Sequence, residues 1–194
     1  VHVRGNAKDF DNWGQLGLTD WTYDKVLPYF KKSESVEGLD SNFRGESGPL
    51  KLSRSPNGNI LSQVYLNAAQ QAGYQINNDM NGERQEGFGL MDTTIFNGKR
   101  QSTSVTYLHP IKHRSNLEIL TNVTVNKILF EDKKAVGVEC KANGENKKYF
   151  SSKEVLLSAG AINSPQLLML SGIGPENELS KYSIEPVECL EGVG

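Results

Sequence analysis

Residues 154–174, EVLLSAGAINSPQLLMLSGIG, constrain the fold more than any other part of this chain. An apolar run, Val155-Leu156-Leu157, stops at the small residues Ser158-Ala159-Gly160-Ala161. The polar corner Asn163-Ser164-Pro165 follows, then a helix-like stretch from Gln166 to Leu170 that closes on Ser171-Gly172-Ile173-Gly174. A buried strand over 154–158 that turns at small residues into a helix is how α/β folds bring backbone close to a nucleotide. The element lies late in the chain, after a long polar segment, and no glycine fingerprint precedes it. Two readings stand at this level. One is an ordinary crossover with small residues for packing. The other puts the backbone of Ala159-Gly160-Ala161 beside an adenosine or pyrophosphate group, where a larger side chain would collide.

Bulk properties remove several function classes. The chain has 21 basic and 23 acidic residues, a net charge of −2, so nothing electrostatic points to nucleic acid or to an anionic membrane. Its most basic patch, residues 109–114, is short, contains Pro110 and reads as a solvated loop. Cys140 and Cys189 form no disulfide framework or metal spacing, and a reducing compartment is the plainer inference. His2, His109 and His113 make no HxH or HExxH arrangement, so no metal site is expected. No apolar run approaches the ~20 residues needed to cross a bilayer, and no signal or transit peptide is visible. The chain opens on Val1 without methionine and stops in a turn at Gly194, which reads as an internal piece of a longer protein.

Periodicity divides the rest. Trp21, Val26, Leu27 and Phe30 keep helical spacing, with Asp20 or Thr22 as the cap and an interruption near Pro28. Residues 36–60 are rich in Gly, Ser, Asn and Pro and read as a surface excursion with one strand-like piece, 48–53. Residues 61–73 predict an amphipathic helix whose face holds Leu61, Val64, Tyr65, Ala68, Ala69 and Ala72, with Gly73 as its stop. Residues 87–95 resemble a strand whose glycines admit close backbone approach, Asn97-Gly98 offers a hairpin turn, and 102–108 starts a short helix closed by Pro110. From Asn116 the pattern is β. Leu117 to Leu120, Val123 to Phe130, Ala135 to Cys140 and Lys147 to Phe150 form a meander feeding the strand 154–158.

The residues 160–174 together resemble the second signature of the glucose–methanol–choline (GMC) flavoprotein oxidoreductases over its whole length. Residues 3–13, 21–34, 116–130 and 135–139 resemble that family in the same order, so the likeness spans essentially the whole chain. Residues 79–82, 85–89, 91–92 and 98–100, with Arg44-Gly45 and Gly48-Pro49-Leu50, are most similar to the choline-oxidising members.

The resemblance implies a mixed fold, α/β in its parts and α+β overall: a partial Rossmann-like FAD-binding domain with a partial antiparallel-sheet substrate domain. On that template residues 1–19 end the FAD-contacting loop region, 20–104 belong to the substrate domain and covering loops, and 105–194 return to the FAD-binding domain. FAD is the implied cofactor. Val1 matches the loop that passes the flavin, Val125 the strand position whose backbone meets the adenine, and Ala159 and Gly160 the cofactor-adjacent strand end. His2 stands where the family usually carries an aromatic residue or Ala. For Arg4, Trp13, Trp21 and Asp92 packing or ion pairing is the favoured role. A quaternary ammonium site needs aromatic faces and a carboxylate; Trp13, Trp21, Tyr23, Phe88 and Asp92 are of those types.

The implied reaction oxidises a primary alcohol, a base taking the hydroxyl proton while hydride passes to the flavin. The family's catalytic histidine and its His or Asn partner are expected beyond Gly194, and its GxGxxG loop before Val1, so this segment alone is expected to be inactive. The implied partners are a small-molecule alcohol and an electron acceptor, either a quinone or respiratory carrier or oxygen. Peripheral membrane association of the whole protein, at the mitochondrial inner membrane or the bacterial cytoplasmic membrane, is also implied. Alternatives are another GMC alcohol or glucose dehydrogenase and, from a different class, a non-catalytic cofactor-binding module.

Overall fold

The computed structural model describes residues 1–54 and 59–194, which divide into two compact units, Val1–Leu117 and Glu118–Gly194. Mixed helix and strand is the architecture of both, as the sequence implies.

In the first unit, α1 (Ala7–Gln15) starts where the Asn6 side chain accepts a hydrogen bond from the Lys8 N–H. That helix is not expected from the apolar pattern; its signals are the Asn6 cap and the acidic Asp9 in its first turn. A single 3₁₀ turn, Thr19–Trp21, leads to α2 (Tyr23–Ser33). Pro28 lies inside α2 rather than ending it. The N–H it lacks would have met the Asp24 carbonyl on a face exposed to water, and the helix is held from its other side. There the Phe10 ring meets Phe30 and Trp13 edge-on, at 5.6 and 5.3 Å between centroids.

Residues 36–60, of which 55–58 lie outside the described residues, are only in part the expected surface excursion. Most of the described residues are exposed, as expected, but Val36, Arg44, Gly45, Gly48 and Leu52 are buried. Strand β1 (Glu34–Ser35) pairs in parallel with β2 (Leu50–Lys51), while β3 (Ser53–Arg54) pairs antiparallel with β4 (Asp92–Thr93). The polar composition gives no sign of the buried part, which sets the Arg44 charge beside Val36 and Leu52.

The helix α3 (Ile60–Gln71) begins one residue early, capped by Asn59, and gives way to Gly73 in a left-handed conformation. Of its apolar face only Ala69 is buried, and Leu61, Val64 and Tyr65 are exposed in the described structure. A Cβ on Gly89 would collide with the Asn77 carbonyl oxygen, so the expected close approach is present. Strands β5 (Ile95–Phe96) and β6 (Lys99–Arg100) form the expected hairpin about Asn97-Gly98. The helix expected over 102–108 is a π-type turn, Ser104–Leu108, and Pro110 opens a following 3₁₀ turn rather than closing it.

The second unit is built on the antiparallel meander β7 (Val123–Glu131), β8 (Lys134–Ala142) and β9 (Glu145–Phe150). Both tight turns place two central residues at positive φ, Asp132-Lys133 and Asn143-Gly144, the geometry that matches strand twist. The register slips between Val125 and Lys127, leaving Asn126 as an extra residue. Residues 117–120 and 154–158, both expected as strands, pair with no strand among the described residues. Alternating or apolar residues cannot make a strand without a neighbour to take their N–H and C=O groups, and Leu156 is accordingly 81% exposed.

Helix α4 (Gly160–Leu170) starts earlier than the sequence suggests and takes the corner Asn163-Ser164-Pro165 into its second turn. Its C-terminus is fastened to the sheet. Ser171 Oγ accepts from the Ile128 N–H at 2.8 Å and donates to the Leu167 carbonyl at 2.6 Å. The chain then reverses as expected, through β10 (Ile173–Gly174), α5 (Glu176–Lys181) and β11 (Glu188–Cys189), with β10 and β11 parallel.

Candidate cofactor site

An open cleft of about 680 Å³ lies within the second unit. One wall is β7, with Val123 and Val125; the other is the segment from Val155 to Ala159 with Asn163, Gln166 and Leu167 of α4, while Gly160 adjoins this lining without being part of it. Such a volume falls in the roughly 300–1,000 Å³ range of ligand pockets. Val123, Val125, Ile128 and Leu167 make the walls apolar, suited to the faces of a flat aromatic base, while Ser158 and Asn163 add polar groups. The sequence-predicted Val125, 39% exposed, and Ala159 thus face one space although 34 residues separate them.

Gly160 sits at the mouth of α4 with φ at +93°, a conformation L side chains rarely adopt. That backbone lets the chain turn at Ala159 directly into a helix. The Ala159 N–H donates to Ser164 Oγ at 3.1 Å, which ties the corner to the helix it opens. No side chain caps the first turn and no acidic residue lies in it. The leading amides of α4 therefore keep their donors and the positive end of the helix dipole, the arrangement that favours a phosphate. An apolar slot next to such donors fits an adenine nucleotide.

The fourth predicted residue, Val1, belongs to the first unit and is exposed. The segment that follows it is anchored in a buried charge cluster. Glu34, fully buried, accepts from Arg4 Nη2 at 2.6 Å, Arg44 Nε at 2.8 Å and the Gly45 N–H at 3.0 Å, and His2 Nε2 lies 3.2 Å away. Arg44, 1% exposed, also donates to Asp79 Oδ1 at 2.5 Å and Asp92 Oδ2 at 2.7 Å.

Burial alone would push the Glu34 carboxyl up. The hydrogen bonds from His2, Arg44 and Gly45, with the Arg4 charge, more than reverse that and hold it at about 2. Burial likewise disfavours the Arg44 cation, but hydrogen bonds to Glu34 and Asp92 and the nearby acidic charges raise its pKa above the ordinary value. Arg4 and Asp92 are therefore ion-pairing residues. Among the described residues Asp92 Oδ1 has no hydrogen-bond partner, and it lies 3.6 Å from Arg54 Nε.

The aromatic residues considered for a cationic substrate do not converge. Trp13, Trp21 and Tyr23 gather around Phe10 or one another, whereas Phe88 packs between Tyr65 and Tyr74. Asp92 is committed to Arg44. Sequence reasoning assigned no role to Glu34 or Ser171, although both stand in stretches that resemble the family. It likewise assigned no role to Asn81, which stands inside the motif 79–82.

Comparison with known proteins bears on this geometry. The profile of the family described as GMC oxidoreductase matches residues 1–190. The chain is 50% identical over 195 residues to the mitochondrial choline dehydrogenase of Homo sapiens, an alignment covering all of this chain and 33% of that protein. It is 47% identical to an oxygen-dependent choline dehydrogenase of Staphylococcus saprophyticus, covering 100% of this chain and 35% of the relative. Among solved structures, an FAD-dependent oxidoreductase from Chaetomium thermophilum superposes with a TM-score of 0.89 at 31% identity, covering 100% of this chain and 36% of that one. Pyridoxine 4-oxidase from Mesorbium loti follows with a TM-score of 0.87 at 26% identity, covering 97% and 37%. The chain spans about a third of the length of the curated relatives it matches.

Proposed function

This chain belongs to the GMC oxidoreductase family, and from that premise we propose that it is part of an FAD-dependent enzyme that oxidises the CH–OH group of choline to betaine aldehyde. The observation that carries the reading is the cleft of the second unit, where Val125 and Ala159 share one apolar space beside the uncapped start of α4. Val125, Ala159 and Gly160 hold the adenine side of FAD there, and Val1 passes the flavin. Residues 1–19 and 105–194 serve the cofactor, and 20–104 serve the substrate side.

When bound, FAD supplies a two-electron acceptor for the hydride of an alcohol carbon. The part played by this chain is to bind and orient it. The walls at Val123 and Val125 exclude water from the base, and the α4 amides present donors to a phosphate. The choline dehydrogenases among the relatives support the choice of alcohol. A quinone, another respiratory carrier or oxygen takes the electrons onward, and the whole protein associates peripherally with the mitochondrial inner membrane or the bacterial cytoplasmic membrane. Among the described residues no helix is long and apolar enough to cross a membrane.

The test uses the full-length protein. FAD released on denaturation, substrate-dependent dye reduction with choline, and loss of FAD retention in Ala159→Phe are the expected results. Activity on glucose or aliphatic alcohols with none on choline refutes the substrate. Undiminished FAD affinity in Ala159→Phe refutes the site.

A further inference from the structure

The motif Asp79-Met80-Asn81-Gly82 is left without a role by the cofactor cleft, yet its third residue makes an unusual pair of contacts. Asn81, 4% exposed, donates from Nδ2 to the His2 carbonyl at 3.0 Å and accepts at Oδ1 from the Arg4 N–H at 2.8 Å. One side-chain amide therefore satisfies the main chain on both sides of Val3, as a neighbouring strand would.

The rest of the motif holds that amide in place. The Asn81 N–H donates to Asp79 Oδ1 at 3.0 Å, and the same oxygen accepts from Arg44 Nη1. The His2 N–H donates to the Asp92 carbonyl at 2.8 Å, and Gln85 Nε2 donates to the Arg4 carbonyl at 2.8 Å. Every main-chain polar group of His2 and Arg4 thus has a partner, and Asn81 supplies two of the four. Only the segment leading back to Val1 extends beyond this grip.

We propose that Asn81 is a positioning residue for the cofactor, its amide acting as a strand substitute that fixes the backbone carrying Val1. This inference rests on the reading that Val1 passes the flavin. A planar amide suits the task because it offers a donor and an acceptor at fixed separation. A carboxylate keeps the acceptor for Arg4 but turns a lone pair toward the His2 carbonyl, and a leucine supplies neither bond.

The experiment compares full-length wild type with Asn81→Asp, Asn81→Leu and Leu52→Ala. Leu52 is buried in the same unit and its N–H donates to the Ser35 carbonyl rather than to the loop, so truncating its side chain lowers stability by another route. FAD dissociation constant, the visible flavin spectrum and the rate of flavin reduction per bound FAD at saturating choline are read beside the melting temperature. Both Asn81 variants are expected to shift the flavin band. Losing one or two neutral hydrogen bonds is expected to weaken FAD binding about 5- to 30-fold. Displacing the loop is expected to slow reduction about 10- to 100-fold. Leu52→Ala is expected to lower the melting temperature and leave the flavin readouts unchanged.

Asn81 variants that melt earlier but keep the wild-type spectrum, affinity and rate overturn the inference, as does Leu52→Ala reproducing their flavin changes. If Asn81→Leu does not fold, Asn81→Asp decides by the same readouts. A wild-type protein that holds no FAD overturns the cofactor reading and this inference together; one that holds FAD with silent Asn81 variants overturns this inference alone.

Discussion

Replacing Glu34 by Gln tests the buried charge cluster directly. The substitution keeps shape and one acceptor but removes the charge that faces Arg4 and Arg44, leaving two guanidinium groups buried with less compensation. Breaking one member out of a buried ion cluster costs about 3–5 kcal/mol. The carboxyl itself gives an independent figure. Held at about 2 in the folded protein, against about 4.3 in an unfolded chain, it stabilises the fold by about 3 kcal/mol at neutral pH. Because the folded value is the lower one, this contribution is complete well above pH 4.3 and is lost as pH falls toward 2. At pH 3 only about 1–1.5 kcal/mol of it remains.

Urea unfolding of full-length wild type and Glu34→Gln, followed by circular dichroism at pH 7 and pH 3, measures both quantities. The expected gap is at least about 3 kcal/mol at pH 7 and about 2 kcal/mol smaller at pH 3. A gap below about 1 kcal/mol at pH 7, or one that is the same at both pH values, refutes the reasoning.

Two further substitutions probe the second unit. Gly160→Ala forces a side chain onto a left-handed backbone and is expected to cost about 1–2 kcal/mol, read as a lower melting temperature together with weaker FAD retention. An unchanged melting point would mean that the turn relaxes freely. Ser171→Ala leaves the Ile128 N–H without its partner in a buried setting and is expected to cost about 1–3 kcal/mol by thermal melting. A loss within experimental error would show that water replaces the hydroxyl.

The meander was legible because three independent signals agree over 123–150: alternation, β-branched residues, and turns of Asp-Lys and Asn-Gly that accept positive φ. The two misplaced strands fail for one reason. Leu117 to Leu120 and Val155 to Leu157 have the right residues, but pairing is a property of two segments and a local pattern reports only one. Pro28 and Pro165 misled in the opposite direction, since each removes a single backbone donor from a helix whose packing holds it together.

At the candidate site, Ala159 and Gly160 announce themselves by their smallness, whereas the meeting with Val125 was readable only through family resemblance. The Glu34 cluster was illegible. Its members come from positions 2, 4, 34, 44, 79 and 92, and no spacing rule links them. Polar residues in a Gly-rich segment look like surface until their partners are known.

The two borders of the meander show how this unit avoids adhering to copies of itself. An outer strand carries a row of unspent amides and carbonyls, which is a template for another chain. On β7 the row is interrupted by Ser171, which takes up the Ile128 N–H. On β9, whose residues are all exposed, Lys147 and Lys148 lie near Glu145 and Glu139 and bring charge that a recruited strand would have to desolvate. One border is blocked at Ile128 by a hydroxyl, and the other is guarded by ammonium groups.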